Sequence, residues 1–127
     1  MLLLDTQLVL WMVLAPERLS RAARRLIEAR SQPLAFSDVT LWEVSLKTSL
    51  GRPGFDVDAH QLQTALLAEG LDEMAIKPLH LFALAHLPWV HRDPFDRMLI
   101  AQAQTEGIVL MTADATLKGY GHAVRKV

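Results

Sequence analysis

Short apolar runs alternate with segments of helical periodicity along the whole chain. The apolar runs predict five short strands, at residues 2–4, 34–36, 71–76, 108–111 and 122–127. The periodicity predicts helices at residues 7–14, 20–30, 38–50, 58–69, 79–87 and 94–106, and a short helical turn within 112–117. Strands that alternate with helices favour a mostly parallel sheet covered on both faces. The predicted fold is therefore a three-layer α/β/α sandwich with about five strands.

Polar residues mark where most of these helices begin. The predicted N-caps are Ser20, Ser37 or Asp38, Asp58 and Asp93. Pro94 suits the first turn of its helix, and Gly51 and Gly107 predict the ends of two helices. The chain contains no repeat and no linker, so a single domain is predicted over residues 1–127.

The composition excludes several classes of site. The chain has 127 residues and no cysteine, which excludes disulfides, thiolate zinc sites and a cysteine nucleophile. No apolar run reaches the roughly 20 residues of a membrane-spanning helix, and the apolar start lacks a basic region typical of a signal peptide. We therefore expect a cytoplasmic protein that does not contact membranes. The formal charge is −1, so any contact with nucleic acid must come from local patches.

Two acidic residues follow predicted strands. Asp5 comes directly after the first strand, and Asp114 lies just beyond the strand at 108–111. In parallel sheets of this kind, ligands bind at the carboxyl ends of the strands. Each acid also has a plain structural explanation, because Asp is common at helix N-caps and in turns. The pair is more suggestive of a site than either residue alone.

Two further acidic residues lie inside predicted helices, on or beside the apolar stripe. A carboxylate at such a position is unfavourable unless it is paired or holds a metal. For Glu43, the structural alternative is an ion pair with Lys47 one turn later. For Asp96, the alternative is a capping arrangement with Asp93. The sequence leaves these alternatives open.

Four acids at one edge of a sheet would repel one another and would need a compensating cation. Ligands that are all oxygen favour Mg²⁺ or Mn²⁺ over zinc or copper. A metal in such a site suits the hydrolysis of phosphodiester bonds. His91, Arg92 and Arg97 flank Asp96 and are candidates for contact with a nucleic-acid substrate, although Arg92 has Asp93 as an alternative partner.

Four ordered motifs resemble those of PIN-domain ribonucleases, most closely the VapC-type toxins of toxin–antitoxin pairs. They are Leu3-Leu4-Asp5-Thr6 with Leu10-Trp11, the segment 37–47 with Trp42-Glu43-Val44 and Lys47, His91-Arg92-Asp93-Pro94-Phe95-Asp96-Arg97, and Thr112-Ala113-Asp114. The order and spacing of these motifs agree from one end of the chain to the other. One departure is Gln7, which stands where several relatives have His.

The resemblance implies a function as well as a fold. It implies that Asp5, Glu43, Asp96 and Asp114 are catalytic, and that Asp5, Asp96 and Asp114 hold Mg²⁺ or Mn²⁺. Thr6 and Thr112 are implied to contact or orient the substrate site. It further implies endonucleolytic cleavage of RNA, a homodimer, and inhibition by a cognate antitoxin, as in type II toxin–antitoxin systems.

Two other functions are weighed against this hypothesis. A degenerate PIN domain would bind RNA or protein without catalysis, but such domains tend to lose one or more of the acids, and all four are present here. Phosphoryl transfer through an aspartyl intermediate usually places a second Asp two residues after the strand-end Asp. That position is Gln7 in this chain, which argues against this chemistry.

Overall fold

The structure, a computed structural model, describes residues 1–127 and contains one five-stranded sheet. Its strands are β1 (Leu2–Leu4), β2 (Leu34–Ser37), β3 (Asp72–Met74), β4 (Val109–Thr112) and β5 (Val124–Lys126). They lie in the order β3-β2-β1-β4-β5, and every neighbouring pair is parallel. The predicted parallel sheet of about five strands is therefore confirmed.

Six α-helices connect and cover the strands. They are α1 (Thr6–Leu14), α2 (Arg21–Ala29), α3 (Asp38–Ser49), α4 (Ala59–Ala68), α5 (Pro78–Leu84) and α6 (Pro94–Glu106). Short 3-10 segments run over Pro16–Arg18 and Ala115–Ala123. None of the helices is both long and apolar enough to cross a lipid bilayer.

The sheet separates two hydrophobic clusters, as expected when successive strand residues point to opposite faces. Leu2 and Leu4 of β1 belong to one cluster, together with buried residues of α1, α2, α3 and α4. Leu3 between them belongs to the other, which is built mainly from α6. Burial on both faces explains why β1 is an uninterrupted apolar run rather than an alternating one.

The predicted N-caps are confirmed. The side chains of Ser20, Asp58 and Asp93 each accept a hydrogen bond from a backbone N–H in the first turn of the following helix. At α3 the cap is Ser37 rather than Asp38, since Ser37 accepts from the backbone of Val39. These caps fix where α3 and α6 begin, and both helices carry residues of the site described below.

Some predicted boundaries were wrong. The third strand is only Asp72–Met74, because its pairing with β2 covers only these three residues. Helix α5 ends at Leu84, three residues before the predicted end. The final strand starts at Val124 rather than at residue 122, because a 3-10 segment occupies the chain up to Ala123.

Candidate functional site

The four acidic residues singled out by the sequence line a single cavity of about 710 Å³. Asp5 and Asp114 follow the adjacent parallel strands β1 and β4, so both lie at the carboxyl end of the sheet. Glu43 comes from α3 and Asp96 from the first turn of α6. Four segments that are distant in sequence therefore place their carboxylates around one space.

Asp5 is held in place through both of its carboxylate oxygens. Oδ1 accepts a hydrogen bond from the backbone N–H of Leu8, so Asp5 is the N-cap of α1. Oδ2 accepts a bond of 2.5 Å from the hydroxyl of Thr112. The pKa of Asp5 is raised to about 6, mainly by burial and also by the charges of Glu43 and Asp114. The two hydrogen bonds lower the pKa and only partly offset this rise. Asp5 is thus both a structural cap and a cavity residue.

Thr112 orients two acids at once. Its hydroxyl donates to Asp5 and accepts a hydrogen bond from the backbone N–H of Asp114. The residue is fully buried as the last residue of β4, and it does not line the cavity. The hydroxyl of Thr112 is thus placed to orient the site, as the resemblance implies, and a direct contact with substrate stays a prediction.

Glu43 is buried, and only one of its two carboxylate oxygens has a hydrogen-bond partner. Oε2 accepts a 2.5 Å hydrogen bond from the Lys47 ammonium group, the ion pair foreseen as the structural alternative. Oε1 is buried and has no hydrogen-bond partner in the protein. Buried carboxylate oxygens are nearly always satisfied, so an orphaned one beside a polar cavity calls for a ligand.

Asp96 is the carboxylate that the protein stabilises least. Its side chain makes no hydrogen bond within the chain, because Asp93 rather than Asp96 caps α6. Burial raises the pKa of Asp96 to about 7, and the charges of Asp93, Asp5, Glu43 and Asp114 add to this rise. The acids that line the cavity, Asp93 included, therefore repel one another, as expected if they lie close together without a cation.

Asp114 is the most exposed of the four acids, and one of its oxygens accepts two hydrogen bonds. The hydroxyl and backbone N–H of Thr116 both donate to its Oδ1, and these bonds lower the pKa of Asp114. It caps the 3-10 segment that follows β4. An acid that is exposed and readily ionised is suited to a weaker, outer position in a metal site.

His91 lies between two of the acids. Its Nε2 is 3.7 Å from Asp114 Oδ2, and its Nδ1 is 3.9 Å from Asp96 Oδ2. The backbone N–H of Asp93 donates to Nδ1, so in the neutral ring the proton is on Nε2 and faces Asp114. Although His91, Asp96 and Asp114 lie close enough to share a metal, this hydrogen bond favours His91 as a donor to an anion rather than as a metal ligand.

The two arginines that were expected to contact substrate lie away from the cavity acids. Arg97 is buried, and its guanidinium group donates to the backbone carbonyls of Leu87, Pro88 and His91, with Tyr120 Oη also within 3.3 Å. Arg92 is exposed and lines a different cavity of about 410 Å³. Arg97 thus binds the loop that precedes α6, and its contact with substrate stays a prediction.

Thr6 lines the cavity, but its hydroxyl is already hydrogen-bonded within the protein. Its hydroxyl shares a hydrogen bond of 3.0 Å with the hydroxyl of Thr40, which links the start of α1 to α3. Gln7 also lines the cavity and is exposed, so it presents a side-chain amide to the cavity. Thr6 is thus placed to set the spacing between Asp5 and the helix that carries Glu43.

The residues present fit a divalent metal ion of the hard, oxygen-binding type. The donors are carboxylates, one buried carboxylate oxygen has no partner, and burial together with mutual repulsion raises the pKa of Asp5 and of Asp96. A cation of two positive charges would relieve each of these conditions. Oxygen donors of this kind match Mg²⁺ or Mn²⁺.

Several cavity residues were not foreseen from the sequence. Arg18, Arg52 and Phe55 line the cavity beside the acids, although they lie in irregular segments that carry no motif. The role of Tyr120 was also missed: its hydroxyl accepts from the backbone N–H of His91 and donates to the carbonyl of Pro88. No local pattern indicates such contacts, which depend on how distant loops meet.

Comparison with known proteins places this geometry in a family. The profile of the PIN domain matches residues 2–123. No curated protein sequence is similar enough to match. Among solved structures, VapBC2 from Rickettsia felis bound to a promoter DNA fragment is similar with a TM-score of 0.73 and 14% identity, over 99% of this chain and 98% of that one.

Two further structures share the fold at low sequence identity. A toxin–antitoxin complex from Klebsiella pneumoniae has a TM-score of 0.65 and 19% identity, over the full length of both chains. FitAcB from Neisseria gonorrhoeae has a TM-score of 0.60 and 15% identity, over 98% of this chain and 96% of that one. With the family profile spanning nearly the whole sequence, the chain belongs to the PIN domain family.

Proposed function

We propose that this protein is a metal-dependent RNA endonuclease that hydrolyses phosphodiester bonds and acts as the toxin of a type II toxin–antitoxin pair. PIN domains are generally nucleases that use divalent metals. The observation that carries the proposal is the convergence of Asp5, Glu43, Asp96 and Asp114 on one cavity, with Glu43 Oε1 buried and without a partner. This arrangement is costly for the folded protein alone, and cation binding explains it.

In this proposal the four carboxylates have different roles. Asp5, Asp96 and Asp114 hold Mg²⁺ or Mn²⁺, and Thr112 fixes the orientation of Asp5. Such a metal, when bound, polarises a phosphoryl oxygen and lowers the pKa of an attacking water. Glu43 completes the acidic wall through its free oxygen, and Lys47 keeps its other oxygen in place. The Nε2–H of His91 is positioned to donate to a phosphate oxygen near Asp114.

Two observations support protein partners. The similar structures include toxin–antitoxin complexes, which supports a cognate antitoxin as a partner. Large apolar side chains are exposed on and after α5, including Phe82 at 65% and Trp89 at 76%. An apolar surface of this kind favours a protein partner, which we propose to be a second copy of the chain, the antitoxin, or both.

The test is cleavage of RNA by the purified protein without antitoxin. Total RNA is incubated with the wild type, Asp96→Asn and Asp72→Asn, each with Mg²⁺, with Mn²⁺ and with a chelator. Asn keeps the size of Asp but removes its charge, and Asp72 is an exposed residue outside the cavity. We expect metal-dependent cleavage by the wild type and Asp72→Asn, and none by Asp96→Asn.

Two results would contradict the nuclease proposal. Equal cleavage by the wild type and Asp96→Asn would assign the activity to another site or to a contaminant. The absence of cleavage by folded wild-type protein in both metals, across RNA pools from several sources, would favour a non-catalytic binding module.

A further inference from the structure

Gln102 of α6 is a fully buried polar residue that does not line the acidic cavity. Leu99 and Ala103 of the same helix belong to the hydrophobic cluster on this side of the sheet. A buried amide is unfavourable unless its groups are hydrogen-bonded, and an apolar residue of the same size would avoid this requirement. The hydrogen bonds of Gln102 therefore indicate what this residue does for the protein.

Both polar atoms of the Gln102 amide have partners on other elements. Its Oε1 accepts a hydrogen bond of 2.6 Å from the hydroxyl of Ser37, the last residue of β2 and the N-cap of α3. Its Nε2 lies 3.3 Å from the carbonyl oxygen of Ala75 and 3.3 Å from Nδ1 of His80, and it donates to both. Gln102 thus joins α6 to the start of α3 on one side, and to α5 and the segment before it on the other.

The donors and acceptors of this network allow one arrangement of protons. The hydroxyl oxygen of Ser37 accepts from the backbone N–H of Val39, so its own proton is free to donate to Gln102. Nδ1 of His80 accepts from the backbone N–H of Lys77, so the neutral ring has its proton on Nε2. The amide must therefore present its oxygen to Ser37 and its nitrogen to His80. Neither a hydrocarbon nor an ionised carboxylate would satisfy both neighbours.

The Ser37–Gln102 bond joins the two helices that carry acids of the site, at equal distances from those acids. Glu43 follows Ser37 by six residues along α3. Asp96 precedes Gln102 by six residues along α6. Six residues of helix span about 9 Å at 1.5 Å per residue. A displacement at the bond is therefore passed along two helical segments of the same length to the two carboxylates.

A second contact joins the same helices beside the acids. The rings of Trp42 and Phe95 meet edge to face, with their centroids 4.6 Å apart. Trp42 directly precedes Glu43, and Phe95 holds the same place before the acid of α6. One contact between two helices leaves the angle between them free, whereas two contacts that lie well apart fix both the spacing and the angle. The buried hydrogen bond is thus the second point that fixes α3 on α6.

We infer that Gln102 is a positioning residue for the acidic site. Through the hydroxyl of Ser37 it holds the start of α3 against α6, and it thereby sets the separation of Glu43 and Asp96. Gln102 makes no hydrogen bond to an acid of the site, so its effect passes through the two helices. The consequences of this role for metal binding and cleavage rest on the proposed function.

The test removes the bond from either end. Gln102→Met keeps the size of the side chain without its polar atoms, and Ser37→Ala removes the hydroxyl. Because Ser37 also caps α3, its matched control is Ser20→Ala, which removes a hydroxyl that caps α2 and donates to a distant carbonyl but lies outside the cavity. Leu66→Ala, at a fully buried position of α4, controls for a general loss of stability. Thermal unfolding shows which variants are folded, and Ser37→Ala carries the test if Gln102→Met is not.

The first measurement follows the two helices in the absence of metal and RNA. In the protein treated with a chelator, the NOEs between the rings of Trp42 and Phe95 report the contact of α3 with α6. We expect these NOEs to weaken in Gln102→Met and in Ser37→Ala, because the angle between the helices is then free to change. They should keep the wild-type intensity in the two controls.

The second measurement follows the site through calorimetric titration with Mn²⁺. We expect Gln102→Met and Ser37→Ala each to lower the affinity about tenfold, which is within the range for residues that act on a site through the protein. The double variant should lose little more than either single variant, because both substitutions remove the same bond. In RNA cleavage, kcat should fall while KM stays nearly unchanged, since neither residue lines the cavity.

Several results would overturn the positioning role. They are wild-type NOEs in Gln102→Met and Ser37→Ala, wild-type Mn²⁺ affinity in both, additive losses in the double variant, and an equal loss of affinity in Leu66→Ala. The two proposals also fail separately. A wild type that binds Mn²⁺ and cleaves RNA, with a Gln102→Met variant that does both equally well, retains the nuclease and loses the positioning residue. A wild type that neither binds Mn²⁺ nor cleaves RNA loses the nuclease, and the NOEs then decide whether Gln102 positions the helices.

Discussion

Thr112 donates a hydrogen bond of 2.5 Å to Asp5 and so joins the ends of two adjacent parallel strands, β4 and β1. The partners are 107 residues apart in sequence, and both are buried. The same Thr112 oxygen accepts a hydrogen bond from the backbone N–H of Asp114. One hydroxyl therefore sets the relative positions of two acids of the site, and this role does not depend on contact with a substrate.

The substitution Thr112→Val tests this positioning role. Val has the same shape but cannot donate to Asp5, so the carboxylate loses the bond that opposes its raised pKa. We expect Mn²⁺ to bind about tenfold more weakly, as is usual when the partner of a metal ligand is removed. The free energy of unfolding should fall by only about 1 kcal/mol. Calorimetric titration with Mn²⁺ and unfolding in urea measure the two effects.

The control for this experiment is Thr64→Val. Thr64 is exposed, and its hydroxyl donates only to a carbonyl of its own helix. Equal Mn²⁺ affinity in Thr112→Val and the control would show that the hydroxyl does not orient the site.

The substitution Arg97→Met should destabilise the loop that carries His91. The guanidinium group of Arg97 donates hydrogen bonds to the carbonyls of Leu87, Pro88 and His91 and lies 3.7 Å from the ring centroid of Trp89. Met fills similar space but leaves these buried carbonyls without a donor, at about 1–3 kcal/mol for each group that water cannot reach. We expect the free energy of unfolding to fall by about 2–4 kcal/mol, and hydrogen exchange to rise in residues 87–91.

Arg92→Met provides the comparison for this prediction. Arg92 is exposed, so its replacement should change the unfolding free energy by about 0.5 kcal/mol or less. Equal effects of the two substitutions would show that the bonds of Arg97 do not hold the loop.

The stability of the protein should depend on pH through Asp38, outside the acidic cavity. Burial raises the pKa of Asp38 to about 6, and the neighbouring Glu73 adds to this rise. A carboxyl whose pKa is higher in the folded than in the unfolded chain stabilises the fold when protonated. This contribution is fully present below about pH 4 and is lost as the pH rises through about 6.

The substitution Asp38→Asn should therefore reduce the change in unfolding free energy between pH 4 and pH 7, but not abolish it, because the pKa values of Asp5 and Asp96 are also raised. Asn resembles the protonated acid at every pH, so the contribution of Asp38 to the pH dependence disappears even if the loss of a charge at the start of α3 lowers stability overall. Urea unfolding at several pH values measures this, with the exposed Asp56→Asn as control. A wild-type slope in Asp38→Asn would show that another group causes the dependence.

The sequence predicts the fold and the acidic residues well because both depend on local patterns. A strand buried on both faces is an apolar run, so Leu2–Leu4 and the position of Asp5 after it can be predicted without knowing the partners. The structural and functional interpretations of Asp5 are also compatible, since its Oδ1 caps α1 and the residue also lines the cavity.

The sequence does not predict contacts made by loops. Arg97 lies beside Asp96 in sequence, but its neighbours in space are carbonyls of the preceding loop and the hydroxyl of Tyr120. Arg18 and Arg52 line the same cavity as the acids only because the 3-10 segment after α1 and the α3–α4 loop both reach it. Such positions depend on the packing of whole elements, which periodicity does not report.

If carboxylates from four segments form one divalent-metal site, calorimetric titration with Mn²⁺ should detect it. The titration compares the wild type with Asp5→Asn, Asp96→Asn and the exposed control Asp72→Asn, each first shown to be folded. We expect the wild type and Asp72→Asn to bind Mn²⁺ equally, and Asp5→Asn and Asp96→Asn each to lose at least tenfold in affinity. Equal affinity in all four proteins would contradict a shared metal site.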